Sequence, residues 1–176
     1  MSAPTEGNHR AENRRGEDHK VEDHRGEDHR HRVSAGAERT LVILNPHSGR
    51  DRAGRQKTKL LRALSDAGLI YDLVETIAPG QGIELARQAV ADGYTTVVAA
   101  GGDGTINEVV NGLVRGSAGD QSVGKLAILS VGSGNDFART LGISQDPRAA
   151  AQAIAKGTAR TCDLGHVVIQ AGGTTD

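Results

Sequence analysis

Aromatic side chains are almost missing: Tyr71, Tyr94 and Phe137 are the only three, and there is no tryptophan. A core without them must be built from Leu, Ile, Val and Ala, which suits a parallel sheet covered by helices better than an aromatic-rich sandwich. A single cysteine, Cys162, excludes an intrachain disulfide. No His or Asn is matched to it, so it reads as a packed structural thiol rather than a reactive one. Charge of one sign is also absent. Lys and Arg number 21 against 22 Asp and Glu, for a net charge of −1, so no basic field marks a nucleic-acid binder. No apolar run approaches the ~20 residues that span a bilayer. The N-terminus is charged from the start and lacks the apolar stretch of a secretion signal. These absences point to a cytoplasmic protein whose contact with a membrane, if any, is peripheral and at the inner face.

Two familiar phosphate-binding motifs are missing as well. There is no GxxxxGK[ST], which excludes a Walker-A loop. The dinucleotide pattern GxGxxG fails twice: the third glycine position holds Asn107 after Gly102-Asp103-Gly104, and Phe137 after Gly132-Ser133-Gly134.

What is present divides in three. Residues 1–37 form a low-complexity tail in which Glu17-Asp18-His19-Lys20, Glu22-Asp23-His24-Arg25 and Glu27-Asp28-His29-Arg30 repeat at a period of five. That period fits neither helix nor strand, and almost nothing in the tail can be buried to offset its ordering entropy. It reads as a disordered, solvated extension, with metal scavenging or charge-mediated docking as the functional alternative. Residues 38–165 have the length of one compact domain. Residues 166–176 carry the apolar stretch Val167-Val168-Ile169 into a Gly-Gly turn with no returning strand.

Within 38–165, short apolar runs at Thr40–Leu44, Ile70–Val74, Thr95–Ala100 and Leu126–Val131 predict strands. Helical spacing follows each of them: Leu60, Leu61, Leu64 and Ala67 up to Gly68; Ile83 to Val90 up to Gly93; Thr105 to Arg115; a short helix through Leu141; and an alanine-rich helix from Pro147 to near Gly157. Arg148, Lys156 and Arg160 around the last helix read as a solvated face. Alternation of this kind means βαβ units: an α/β fold with a doubly wound, mostly parallel sheet and helices on both faces. Right-handed crossovers then bring the glycine-bearing loops Asn45–Gly49, Gly101–Thr105 and Gly132–Asp136 together at the carboxyl end of the sheet, where open α/β folds bind ligands.

The densest signal is Gly101-Gly102-Asp103-Gly104-Thr105-Ile106-Asn107-Glu108. An apolar strand breaks into glycines and re-forms as a helix, which places bare backbone N–H groups and the positive helix end at one spot. Thr105 and Glu108 have the spacing of a capping box. Capping alone does not explain three glycines in four residues, each with an entropic cost. The pattern points to a nucleotide polyphosphate. A carboxylate beside phosphates requires a cation between them, so Asp103 implies Mg²⁺.

Three stretches carry a family resemblance. Asn45-Pro46-His47-Ser48-Gly49 is similar to NPxSG, Gly101 to Val109 to GGDGTxNEV, and Gly132 to Arg139 to GTGNDFAR. In this order and spacing, over Arg39 to Gly165, the chain resembles the diacylglycerol kinase catalytic-domain family of lipid kinases, which includes the sphingosine kinases. GGDGT by itself is shared with NAD kinases and phosphofructokinases; the fused NEV and the later GNDFAR carry the lipid-kinase likeness. Two positions depart from the pattern: Ser130-Val131 stand where Pro-Leu is frequent, and Ser133 replaces a Thr while keeping the hydroxyl.

The resemblance implies an ATP-dependent lipid kinase that transfers the γ-phosphoryl group to a lipid hydroxyl such as that of diacylglycerol, in phospholipid metabolism. It implies ATP contacts from Asn45, Pro46, His47, Ser48 and Gly49, and from Gly101, Gly102, Asp103, Gly104, Thr105, Ile106, Asn107 and Glu108. Thr76 and Ser133 complete that site. Asp103 helps hold Mg²⁺, and Asn135 and Asp136 belong to a polar network on the acceptor side. It makes residues 166–176 the truncated start of a second, β-rich domain and places the catalytic base beyond Asp176, in that domain, so the chain alone is expected to bind nucleotide weakly and transfer nothing. An NAD kinase-like enzyme, which Gly134-Asn135-Asp136-Phe137 argues against, and a non-catalytic nucleotide-binding module are the alternatives.

Overall fold

The computed structural model describes residues 38–117, 124–131, 133–157 and 159–167. The tail 1–37, Gly132, Val168-Ile169 and the rest of the expected second-domain start lie outside the described residues. Among these residues, four strands, β1 (Thr40–Leu44), β2 (Tyr71–Glu75), β3 (Thr96–Gly101) and β4 (Lys125–Ser130), make one sheet in the order β2-β1-β3-β4, with parallel pairing throughout. Five helices connect or follow them: α1 (Ser48–Asp66), α2 (Gln81–Ala91), α3 (Asp103–Gly116), α4 (Asp136–Thr140) and α5 (Pro147–Lys156).

The sheet is buried from both sides, which is why β1 and β3 read as unbroken apolar runs. Alternate residues divide the core. Val42, Leu44, Val98, Ala100 and Leu129 pack under α1 and α5, with Leu60, Leu64, Ala150 and Ala151. Leu41, Ile43, Val97, Ala99 and Ile128 pack under α2 and α3, with Ala86, Ile106, Val109 and Leu113. The doubly wound arrangement with helices on both faces is therefore present. Gly112 brings α2 and α3 together: a Cβ there would lie 2.2 Å from the Ile83 carbonyl oxygen, so the backbones meet where no side chain fits.

The chain leaves β1 toward β2 over one face, and leaves β3 toward β4 over the other. The switch point therefore lies between β1 and β3, with their loops side by side.

The amino end of the sheet is closed differently. Arg39 stacks 4.2 Å from the Tyr94 ring centroid, and the Tyr94 hydroxyl donates to Asp72 Oδ2 at 2.6 Å. Burial, then the hydrogen bond and charge of Asp72, push the Tyr94 pKa up to about 12.

Two expectations need correction. Cys162 is exposed, not packed, because residues 159–167 form no helix or strand and stay largely in solvent. The helix after β3 starts at Asp103 rather than Thr105, with Gly102 as its N-cap and no side-chain cap. The capping box does not form. Thr105 sits in the first turn of the helix and is buried, and its hydroxyl meets Asn45 and Ser48 after β1. Arg148, Lys156 and Arg160 are exposed, in keeping with a solvated face.

Candidate functional site

The loop after β1 begins where Asn45 N donates to Ala100 O at 3.0 Å, so it leaves the sheet fastened to β3. Asn45 Oδ1 accepts from His47 N at 3.0 Å, which turns the chain, and Asn45 Nδ2 donates to Thr105 Oγ1 at 3.1 Å. Ser48 is buried. Its Oγ accepts from Gly102 N at 3.2 Å and lies 3.3 Å from Thr105 Oγ1. Gly101 has to be glycine here: a Cβ would stand 2.4 Å from Thr105 Oγ1 and 2.9 Å from Ser48 Oγ. The loops after β1 and β3 are thus interlocked by Asn45, Ser48 and Thr105. Pro46 closes the next turn, with its carbonyl accepting from Gly54 N at 2.9 Å.

Between Ser48 and Gly54 the backbone turns left-handed for three residues, with φ of 63°, 58° and 62° at Gly49, Arg50 and Asp51. Glycine adopts this conformation freely; Arg50 and Asp51 carry a cost of about 1–2 kcal/mol each. Such strain persists where surrounding structure imposes it, and it gathers at ligand sites. His47 Nδ1 lies 2.8 Å from Asp51 Oδ1 across the turn, with both side chains exposed.

The loop after β3 leads into α3, whose first-turn amides have no intrahelical acceptors. Gly104 lies in this turn and differs from Gly101, since a Cβ placed on it meets nothing within 4 Å. The space above the helix start is open. Asn107 is exposed one turn on, while the Ile106 side chain points into the core and offers the site only its backbone.

The third loop reaches the same place through Asp103. Its Oδ1 accepts from Phe137 N at 3.1 Å and its Oδ2 from Asp136 N at 3.3 Å, so the first residue of α3 caps α4. Gly134 lies between the two carboxylates, 3.1 Å from Asp103 Oδ2 and 3.6 Å from Asp136 Oδ2 measured from the position of a Cβ. Asp136 is ion-paired with Arg139. Asn135 is left-handed (φ 54°) and buried, and its Oδ1 has no partner among the described residues; neither has the buried Ser130 Oγ. Ser133 is exposed at the mouth of the loop.

Thr76 is buried at the end of β2, one strand beyond β1, with its N–H on Leu44 O at 2.9 Å. Glu108, for which the resemblance implies an ATP contact, has its carboxylate on Gly80 N and Gly82 N, both at 2.9 Å. All three glycine-bearing loops therefore meet at the carboxyl end of the sheet.

A Mg²⁺ ion usually takes one or two carboxylates and completes its shell with phosphates and water. Asp103, with Asp136 nearby, fits that role. No group of three or more His, Cys, Asp or Glu able to hold a metal occurs among the described residues, so phosphate oxygens would have to supply the rest.

Residues 39–167 match the family model of the diacylglycerol kinase catalytic domain. A diacylglycerol kinase of Bacillus subtilis (strain 168) is 38% identical over 131 residues, covering 74% of this chain and 42% of that protein. A diacylglycerol kinase of Staphylococcus aureus (strain MRSA252) is 35% identical over 130 residues, covering 74% and 40%. The crystal structure of a diacylglycerol kinase from Bacillus anthracis str. Sterne aligns with a TM-score of 0.58 at 30% identity, over 70% of this chain and 42% of that one. The chain spans about two fifths of the length of the curated relatives it matches.

Proposed function

The chain belongs to the diacylglycerol kinase catalytic-domain family, and from that premise we propose that it forms the nucleotide-binding part of an ATP-dependent lipid kinase. The reaction moves the γ-phosphoryl group of ATP to the hydroxyl of a diacylglycerol-like lipid, in phospholipid biosynthesis. Lipid contact is peripheral; no helix among the described residues is long and apolar enough to cross a membrane.

One observation carries this reading: a helix start whose first-turn amides have no intrahelical acceptor, with open space over Gly104, at the switch point of a parallel sheet. Phosphates sit on the first-turn amides of α3. The turn of Asn45, Pro46, His47, Ser48 and Gly49 lies on one side of them, and Ser133 and Gly134 lie on the other. Thr76 extends the nucleotide site toward β2. Phosphoryl transfer depends mainly on positioning and electrostatic stabilisation, which fixed amides supply without reorganisation. Asp103 and Asp136 would hold Mg²⁺, which when bound neutralises charge on the phosphates. Asn135 and Asp136 line the acceptor side. The acceptor hydroxyl also needs a base. The family resemblance implies a base outside these loops, where Asp103 accepts from the α4 amides and Asp136 pairs with Arg139.

The test is thermal unfolding of the full 176-residue chain with and without MgATP. Binding stabilises by about 2.7 kcal/mol at a hundredfold excess over Kd, and diacylglycerol vesicles with labelled ATP yield no labelled lipid. Saturating MgATP without any shift overturns the reading.

A further inference from the structure

α2 begins without a cap of its own. Its N-cap residue is Gly80, left-handed at φ 81°, which has no side chain to accept the orphan amides of the first turn. Gln81 N and Ile83 N find backbone acceptors at Ala78 O (3.3 Å) and Gly80 O (3.1 Å), and the other two amides are satisfied from another helix. Glu108, five residues into α3, accepts from Gly80 N through Oε1 and from Gly82 N through Oε2, both at 2.9 Å. The fit leaves no room for a side chain at residue 82: a Cβ there would stand 2.7 Å from Glu108 Oε2 and 3.0 Å from Glu108 Cβ. Carboxylates on backbone amides make charge-assisted hydrogen bonds, stronger than neutral ones, and the helix end favours a negative charge.

We infer that Glu108 is a positioning residue. Its two oxygens fix the turn from Thr76 to Gly80 against α3, and so hold the β2 side of the nucleotide site in register with the amides of Gly104 and Thr105. This rests on the proposed nucleotide site. Glu108 acts through the turn and does not touch the ligand. Thr105 ties α3 to the loop after β1, and Asp103 ties it to α4. Three polar side chains of one helical stretch thus each fasten a different loop.

The experiment measures amide hydrogen exchange and MgATP affinity on the full chain as wild type, Glu108→Gln, Glu108→Ala and Gly82→Ala. Gly82→Ala displaces the carboxylate without altering it, and it keeps the test alive if Glu108→Ala fails to fold. The expected result is about tenfold faster exchange at the amides of positions 80 and 82 in all three variants, mildest in Glu108→Gln, with Phe137 N unchanged. MgATP affinity falls about tenfold in step with exchange, as expected for a pre-organised turn. Weaker MgATP binding with unchanged exchange means Glu108 contacts the ligand, and overturns the inference. Faster exchange with unchanged affinity overturns it as well, because the cap then has no bearing on the site. A wild-type chain that binds no MgATP instead overturns the proposed function, while the exchange data still decide whether Glu108 caps α2.

Discussion

The two ends of the sheet are fastened by opposite means. At the amino end, Arg39, Asp72 and Tyr94 join through a stacked cation, an ion pair and one phenolic hydrogen bond, largely in solvent. At the carboxyl end, the buried Thr105 and Ser48 hydroxyls, the Asn45 amide and glycines without room for a methyl group lock the loops to each other. Exposed ionic contacts contribute little and tolerate change. Buried polar networks with every member satisfied fix one geometry, and lose much when one member is removed. The carboxyl end is therefore where this chain holds shape most strictly, and it is also the end with the open ground above Gly104.

Gly101→Ala attacks the strict end directly. The added methyl group meets Thr105 and Ser48, and unfolding in urea should show a loss of about 3 kcal/mol or failure to fold. Gly104→Ala sharpens the contrast three residues later. Nothing meets the new methyl group, and alanine favours a helix interior by up to about 1 kcal/mol over glycine. The apo protein should be unchanged or slightly more stable, while MgATP binding, read by titration, weakens at least tenfold. A smaller effect comes from the left-handed turn. Arg50→Gly removes backbone strain and should raise stability by about 1 kcal/mol or less, part of the relief being offset by unfolded-chain entropy. The mildest test is at the amino end. The Tyr94 pKa is raised to about 12 from an ordinary 10, so its contribution is intact below pH 10 and is lost as pH climbs toward 12. Stability of the wild type should fall more steeply over that window than that of Tyr94→Phe.

The fold was legible because a parallel sheet buried on both faces writes its strands as plain apolar runs, as at Val97–Ala100. The meeting of the loops followed from handedness alone. Other features were hidden for physical reasons. Thr105 and Glu108 have capping-box spacing, but the helix starts two residues earlier and partners from other loops take both side chains. The Glu108–Gly82 contact joins residues 26 apart, beyond any local pattern. The left-handed turn falls on Arg50 and Asp51, and arginine has no preference for that region. Cys162 reads as packed because no His or Asn is matched to it, and the lack of a catalytic partner says nothing about where a given segment packs.

The three fastenings of α3 also constrain length. An α-helix turns about 100° per residue, so Asp103, Thr105 and Glu108 reach α4, the loop after β1 and the start of α2 because each leaves the axis at its own angle. Inserting a single alanine between Thr105 and Glu108 would swing the carboxylate about 100° away from Gly80 and Gly82 without lowering helix propensity. This stretch is a gauge in which angle is written as residue count, and it has no tolerance for an insertion or a deletion.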